Sequence, residues 1–175
     1  MFSMALNVPK LTVDPKLIDK QIMTGAGLMV VNNYRERMLR GEGVKNNQIV
    51  QLKPLSEITI AATGRDIPLS NKGHMRESFR VDPGKTTENK VTMNFPKEQA
   101  WKAAIHQKGY KDIKPKGDIL AIPLTYMGVE GYIYCKKVTI PPRPHVGWTQ
   151  KDIDDAYRVI EMAAVKKLEG AIKTE

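Results

Sequence analysis

Apolar residues recur along this chain with two different periods, and the changes of period divide it into elements. Residues 1–13 are an apolar–polar mixture containing Pro9 and read as an extended arm. Asp14-Pro15 then has the chemistry of a helix start, with Asp to cap free amides and Pro pre-set for the first helical position. Ile18, Ile22, Ala26 and Met29 follow at helical spacing, with Tyr34 and Met38 continuing the line. Lys20, Asn32, Asn33, Arg37 and Arg40 form the polar face, and Gly41 and Gly43 supply the stop. Gly25-Ala26-Gly27 weakens the helix by up to ~1 kcal/mol per Gly, and marks either a bend or a place where another backbone comes close.

Residues 41–52 read as a polar loop. Ser56 has the chemistry to cap a short helix through Ile58, Thr59, Ile60 and Ala61, ended by Gly64. Asp66–Asn71 reads as a loop and Gly73–Phe79 as a second short helix. Phe79–Val81 and Lys90–Phe95 are expected to be strands. In the latter, Val91, Met93 and Phe95 alternate with Thr92 and Asn94, the period of a half-buried strand. After Pro96 a helix is expected over Lys97–Gln107, with Ala100, Trp101, Ala104 and Ile105 on its apolar side. Gly109–Asp118, basic and broken by Pro115 and Gly117, is expected to be a mobile loop. Ile119–Tyr126 and Gly131–Ile140 read as strands joined through a hairpin at Gly128–Gly131.

The last helix has the firmest pattern. Thr149 with Asp152 resembles a capping box, and Ile153, Tyr157, Ile160, Ala164 and Leu168 form an apolar stripe that Gly170 is expected to end. These elements predict one α+β domain over residues 14–170, with the arm before it and a short tail, 171–175, after it. Its parts are a long N-terminal helix, a small and mainly antiparallel sheet with a helix packed on it, and a C-terminal helix.

Composition and charge add a bias toward anionic partners. The 175 residues are 41% hydrophobic and 27% charged, ordinary for a globular protein, but the net charge is +9. The cations are dispersed except for Lys108–Lys116 and Lys136-Lys137, so no block reads as a nucleic-acid-binding tail. Nine Met suit either a loosely shaped core or a surface that repacks against partners. The single Cys135 rules out an intramolecular disulfide and fits a reducing compartment. Met1–Lys10 has no signal-peptide pattern, and Leu28–Val31, the longest apolar run, is too short to span a bilayer. The expectation is a cytosolic protein, without a membrane contact, until it joins something larger.

His74, His106 and His145 lack metal-ligand spacing, and Cys135 lies alone in a strand pattern. Gly25-Ala26-Gly27 is no dinucleotide fingerprint, and Ala62-Thr63-Gly64-Arg65 is no phosphate loop. Asp152, Asp154 and Asp155 suit a helix N-terminus. No enzyme, cofactor or metal is expected. His106 reads as a structural residue whose imidazole locks the helix-to-loop junction on a carbonyl. Arg143, within Pro141-Pro142-Arg143-Pro144, sits either on an exposed docking edge or in a rigid connector.

Four phrases fall in fixed order: Leu52-Lys53-Pro54-Leu55-Ser56, Gly73-His74-Met75-Arg76-Glu77-Ser78-Phe79, Ala104-Ile105-His106-Gln107-Lys108-Gly109 and Ile140-Pro141-Pro142-Arg143-Pro144-His145-Val146-Gly147. Together they resemble the tailed-bacteriophage virion morphogenesis (tail completion) family, which includes Mu-like and P2-like neck proteins. That family shows a Trp-x-Pro-Leu-Ser phrase followed by a Thr, which is similar to Leu52–Ser56 and Thr59 with Leu52 for the Trp. Its Thr-Gly-x-Leu-Arg-x-Ser phrase is similar to Lys72–Ser78, departing at Lys72 and Met75. Its Tyr-Ala-x-Ile-His-Gln-x-Gly phrase is similar to Ala103–Gly109 without the Tyr. Its Ile-Pro-x-Arg-Pro-Phe-Leu-Gly phrase is similar to Ile140–Gly147, with His145 and Val146 for Phe-Leu. The resemblance covers about residues 15–170.

The resemblance implies a structural virion protein of the neck, needed for tail completion and head–tail joining. Such a subunit forms a homo-oligomeric ring between the head connector, on the portal side, and the tail terminator or tail tube, with the packaged DNA end nearby. Arg76, His106, Gln107, Gly109 and Arg143 are then the candidate assembly or structural residues. The arm 1–13 and the Lys108–Lys116 loop are candidates for reaching neighbouring subunits. The alternative suggested by the charge is a basic nucleic-acid-binding protein without catalytic activity. A tail-associated hydrolase is a further rival, for which no residue constellation is present.

Overall fold

Asp19 rather than Asp14 starts the long N-terminal helix. The computed structural model describes residues 3–7, 14–57, 59–60, 64–69, 74–114, 117–123 and 130–172. In it, Asp14 accepts from the Lys16 amide (3.0 Å) and opens only a 3-10 turn, Pro15–Leu17. The chain resets at the buried Ile18, and Asp19 caps α1 (Lys20–Leu39) by accepting from the Ile22 amide at 2.9 Å. The other elements are β1 (Ser3–Asn7), β2 (Glu42–Lys45), β3 (Gln48–Gln51), α2 (His74–Ser78), β4 (Arg80–Val81), β5 (Lys90–Asn94), α3 (Lys97–Lys108), β6 (Tyr110–Ile113), β7 (Leu120–Pro123), β8 (Tyr132–Cys135), β9 (Val138–Ile140) and α4 (Gln150–Ile172). The class is α+β: a long N-terminal helix, small antiparallel sheets and a C-terminal helix.

Helix α1 buries Met23, Ala26, Gly27, Val30, Val31, Tyr34, Arg37 and Met38. This arc is wider than a single apolar line because the helix is covered on two sides, by a sheet and by α4. Gly27 makes the sheet side possible. A Cβ there would stand 2.5 Å from Val91 Cγ1 and 2.9 Å from Val81 Cγ2, so the small residue sets how closely helix and strands approach.

That sheet has the order β1-β5-β4, with every pairing antiparallel. The expected arm is extended, but its Ser3–Asn7 backbone pairs with β5 of the same chain, placing Leu6 opposite Val91. As the central strand, β5 buries Thr92 as well as Val91 and Met93, and the Thr92 hydroxyl donates to the Lys85 carbonyl at 3.0 Å. The half-buried expectation fails because the turn after β4 folds over the second face of β5, where Thr86 and the Lys85 carbonyl meet Thr92.

Residues 41–52 are a hairpin, not a loop. Asn46 and Asn47 hold φ of 52° and 62°, the left-handed pair that a two-residue hairpin turn requires, and β2 pairs β3 from Glu42–Gln51 to Lys45–Gln48. Ser56 caps as expected, accepting from the Thr59 amide at 3.3 Å. The expected loop at 109–118 contains β6, which pairs with β9, while β7 pairs with β8. The expected strand 131–140 is thus divided at Lys136-Lys137 between two partners. Helix α3 is turned relative to expectation: Ala103 is its buried residue, and Trp101 stands 58% exposed. Helix α4 buries Asp152, Ala156, Ile160 and Ala164 and runs through Gly170 to Ile172, with everything after Ala164 exposed. Among the sequence expectations, those on residues 1–2, 8–13, Ile58, Ala61, Ser70–Gly73, Pro115-Lys116, 124–129 and 173–175 lie outside the described residues.

The core is closed by a buried ion pair. Arg37, expected on a polar face, donates from Nη1 to both oxygens of Asp152 (2.7 and 2.8 Å) and from Nη2 to the Gly147 carbonyl (3.1 Å). Asn33 Nδ2, the Thr149 amide and the Thr149 hydroxyl also donate to the Asp152 carboxylate, and the Asp152 amide donates to Thr149 Oγ1. The capping box is therefore present, with its carboxylate also serving a cation on another helix. Removing one partner of such a pair strands the other charge. Asp152→Ala is expected to lower unfolding free energy by about 3–5 kcal/mol in urea titrations. The double variant Arg37→Met/Asp152→Leu is expected to recover most of that loss.

Candidate functional site

Three of the four phrases meet at one junction, and backbone geometry brings them there. Helix α3 ends at Lys108, and Gly109 takes φ +73° to turn the chain into β6. A Cβ at Gly109 would stand 2.7 Å from Pro142 N and 2.9 Å from the Ile140 carbonyl oxygen. Only glycine allows the end of α3 and the segment after β9 to lie this close. The Arg143 amide then donates to the His106 carbonyl at 2.7 Å. Gln107 extends the contact as a peptide group would: its Nε2 donates to the Val146 carbonyl (3.0 Å), and its Oε1 accepts from the Val146 amide (2.9 Å).

Arg143 supplies the third side. Its Nε donates to the Lys53 carbonyl (2.9 Å) and its Nη2 to the Pro54 carbonyl (3.0 Å). The residue is 6% exposed, so the proline run is a connector whose arginine points inward, and not an exposed arginine edge. Hairpin β2–β3 backs the same segment. The Val44 amide donates to the Pro144 carbonyl at 2.8 Å, and Gly43 and Gly147 leave no room for a Cβ at that contact.

Two histidines lie here, both kept neutral by burial. The His106 carbonyl, rather than its imidazole, locks the junction; its Nδ1 is buried without a partner. Burial, and then the Arg143 charge, lower the pKa of His106. His145 is 1% exposed and donates from Nδ1 to the Arg143 carbonyl at 2.9 Å, leaving Nε2 buried and unpartnered. Its ring stands 6.2 Å from Phe95 and 6.4 Å from Tyr34, in a cluster that Phe79 completes. Burial pushes its pKa down to about 4.

The fold therefore brings together His106, Gln107, Gly109 and Arg143 among the candidate residues. Arg76 is elsewhere, paired with Glu77 of its own helix at 2.7 Å. Sequence reasoning missed Arg37, although Tyr34, Arg37 and Met38 continue the buried line from Val30 by steps of three and four. Among the described residues, no His, Cys, Asp and Glu side chains cluster as a metal site requires, and no helix is long and apolar enough to cross a membrane. The arrangement binds chain segments to one another; it presents no nucleophile–base pair. Comparison with protein-family models, curated proteins and solved structures gives no match.

Two expectations follow. Arg143→Ala is expected to cost about 2 kcal/mol in chemical denaturation, and Arg143→Lys to recover little of it, because an ammonium cannot span both carbonyls as the guanidinium does. His145 gives an acid dependence of defined sign. With a folded pKa near 4 against 6.5 unfolded, the unfolded chain binds the proton first. Stability is unaffected above pH 6.5, falls as pH drops from 6.5 to 4, and loses about 3 kcal/mol in all. His106, also lowered, adds in the same direction. His145→Phe is expected to flatten most of this slope in urea midpoints measured across that range.

Proposed function

We propose that this protein is a structural subunit of the neck of a tailed-phage virion, acting by ring assembly between head connector and tail. The observation that carries the reading is the junction itself. Leu52–Ser56, Ala104–Gly109 and Ile140–Gly147, separated in sequence, hold one another through Arg143 and Gln107. Phrases that act as one packed unit are better grounds for a family likeness than phrases scattered over a surface. The departures from the family pattern also suit their surroundings. Leu52, at the Trp position, is buried, as is Val146 at the Leu position, and His145 stands against two aromatic rings, Tyr34 and Phe95, where the pattern has Phe.

A closed ring needs two different surfaces on each subunit that meet by rotation. Because Ser3–Asn7 is used within its own chain, the arm is a weaker candidate for that contact than residues with uncovered apolar surface. The last turns of α4 carry Met162, Val165, Leu168 and Ile172, all exposed. The +9 charge suits acidic connector surfaces or the DNA end. The protein would pass from host cytosol to virion as it assembles.

One observation favours the second reading, free nucleic-acid binding. Tyr132 and Tyr134 are exposed on one face of β8 with ring centroids 6.2 Å apart, and the exposed Lys136 follows them. Stacking aromatics beside a cation suit single strands.

The neck reading predicts closed rings, with a central channel, in electron micrographs and in mass measured across concentration and salt. A subunit that stays monomeric, and also fails to sediment with purified connectors or tails, would sink it. Tight oligonucleotide binding by that monomer, steeply weakened by salt, would favour the second reading.

A further inference from the structure

The turning of α3 leaves Trp101 exposed on the face that its sequence marks as apolar, while Ala100, Ala104 and Ile105 stay half-buried. Ala100, Trp101 and Ala104 line a groove of about 1050 Å³, together with Val81 of β4 and Phe95 just after β5. Among the described residues β4 is an edge strand of its sheet, and the groove runs beside it. An indole 58% exposed at its wall is costly to leave in water, at about 25 cal/mol per Å² of apolar surface. Val81 and Phe95 at the floor are themselves nearly buried, so Trp101 is the large apolar side chain that the groove offers to a partner.

Charge around the groove is net positive, three cations against one carboxylate. Arg80, Lys97 and Lys108 line it, and none of the three makes an ion pair with a carboxylate among the described residues. Asp82, the carboxylate among the lining residues, is already engaged by Asn94 (2.9 Å) and Lys85 (3.6 Å). Lys97 and Lys108 are the first and last residues of α3, so their backbones lie about 16 Å apart at the helical rise. An extended peptide covers that span with about five residues.

We propose that this groove binds an extended acidic segment of another protein, with an apolar side chain set against Trp101 and carboxylates reaching the cations at both ends. The spacing defines the ligand: two acidic positions about five residues apart with a large apolar residue between them. A second copy of this chain is disfavoured as occupant, because two molecules of charge +9 repel. A nucleic acid is disfavoured by the apolar floor, which offers few groups to base edges. The inference does not depend on the neck reading, since a groove of this chemistry can act in a ring or in a monomer.

The test is selection of random short peptides displayed on yeast, using the full chain as bait. Trp101→Ala and Lys97→Glu/Lys108→Glu serve as counter-baits; all three residues are exposed, and unchanged melting checks their folding. Selected peptides are expected to carry Asp or Glu on both sides of an apolar residue. Their affinity is expected to fall about tenfold or more with Trp101→Ala and with the double charge reversal, and to weaken with salt. Failure to enrich any peptide sensitive to Trp101→Ala would overturn the proposal, as would enrichment of neutral or basic sequences. A single-stranded oligonucleotide that shifts the Trp101 indole resonance at lower concentration than the selected peptides would also overturn it. Ring formation measured separately keeps failure here distinct from failure of the neck reading.

Discussion

The contact between Arg37 and Asp152 sets the position of nearly everything else. It joins the last turn of the chain's first long helix to the first turn of its last, and through the Gly147 carbonyl it also holds the segment between them. Two buried charges are costly to desolvate, and the cost is offset only when their remaining hydrogen-bonding capacity is filled. Asn33 and Thr149 do this for the carboxylate. The pair therefore fixes an angle and a register as well as a contact: a shift of either helix by one residue would strand a charge in the core. Apolar packing between α1 and α4 alone would tolerate such a slip more easily.

A second constraint comes from proline. Pro141, Pro142 and Pro144 have no amide hydrogen, so their segment cannot enter a sheet in the ordinary way, and neither can the segment containing Pro54. Side chains replace the missing ladder. Gln107 imitates a peptide group opposite Val146, and the Arg143 guanidinium supplies donors to the carbonyls of Lys53 and Pro54. Irregular segments become part of the core without any regular pairing between them. Gly109 and Gly147 set how closely they approach.

Much of this was legible in the sequence, and the failures share a cause. The C-terminal helix, its Thr149–Asp152 cap and the strand at Lys90 follow local rules of period and capping and appear where those rules put them; of the expected hairpin, Leu120–Pro123 and Tyr132–Cys135 pair, while Val138–Ile140 goes to another strand. Errors arise where tertiary neighbours decide. Thr92 reads as solvent-facing, but the turn carrying Lys85 and Thr86 folds over its face of the strand. Asn46-Asn47 is a turn signal that was read as part of a polar loop, because β2 and β3 are short and only weakly apolar. Arg37 and Asp152 lie on buried stripes at helical spacing, but a charge on a stripe looks like an interruption until its partner is known. At the junction, His106, Gln107, Gly109 and Arg143 were singled out as phrases. The division of labour among them, with a carbonyl acting where an imidazole was expected, needed the three-dimensional arrangement.

Strand β1 pairs with residues 90–94, and α1 packs on residues 150–172. For a chain emerging from the ribosome, this is a question of timing. The first helix to be made carries a cation, and one side of its apolar arc, that find their partner only once the last helix has been synthesised. During that interval α1 has only the sheet side for cover, with Phe79 and Phe95 against Tyr34, and the side meant for α4 faces solvent or other proteins. Folding of the whole is then a late event that closes from both ends at once, slow for the size of the chain because its defining contacts are distant in sequence. The same pair that locks the finished structure leaves the growing one dependent on whatever shields its first helix.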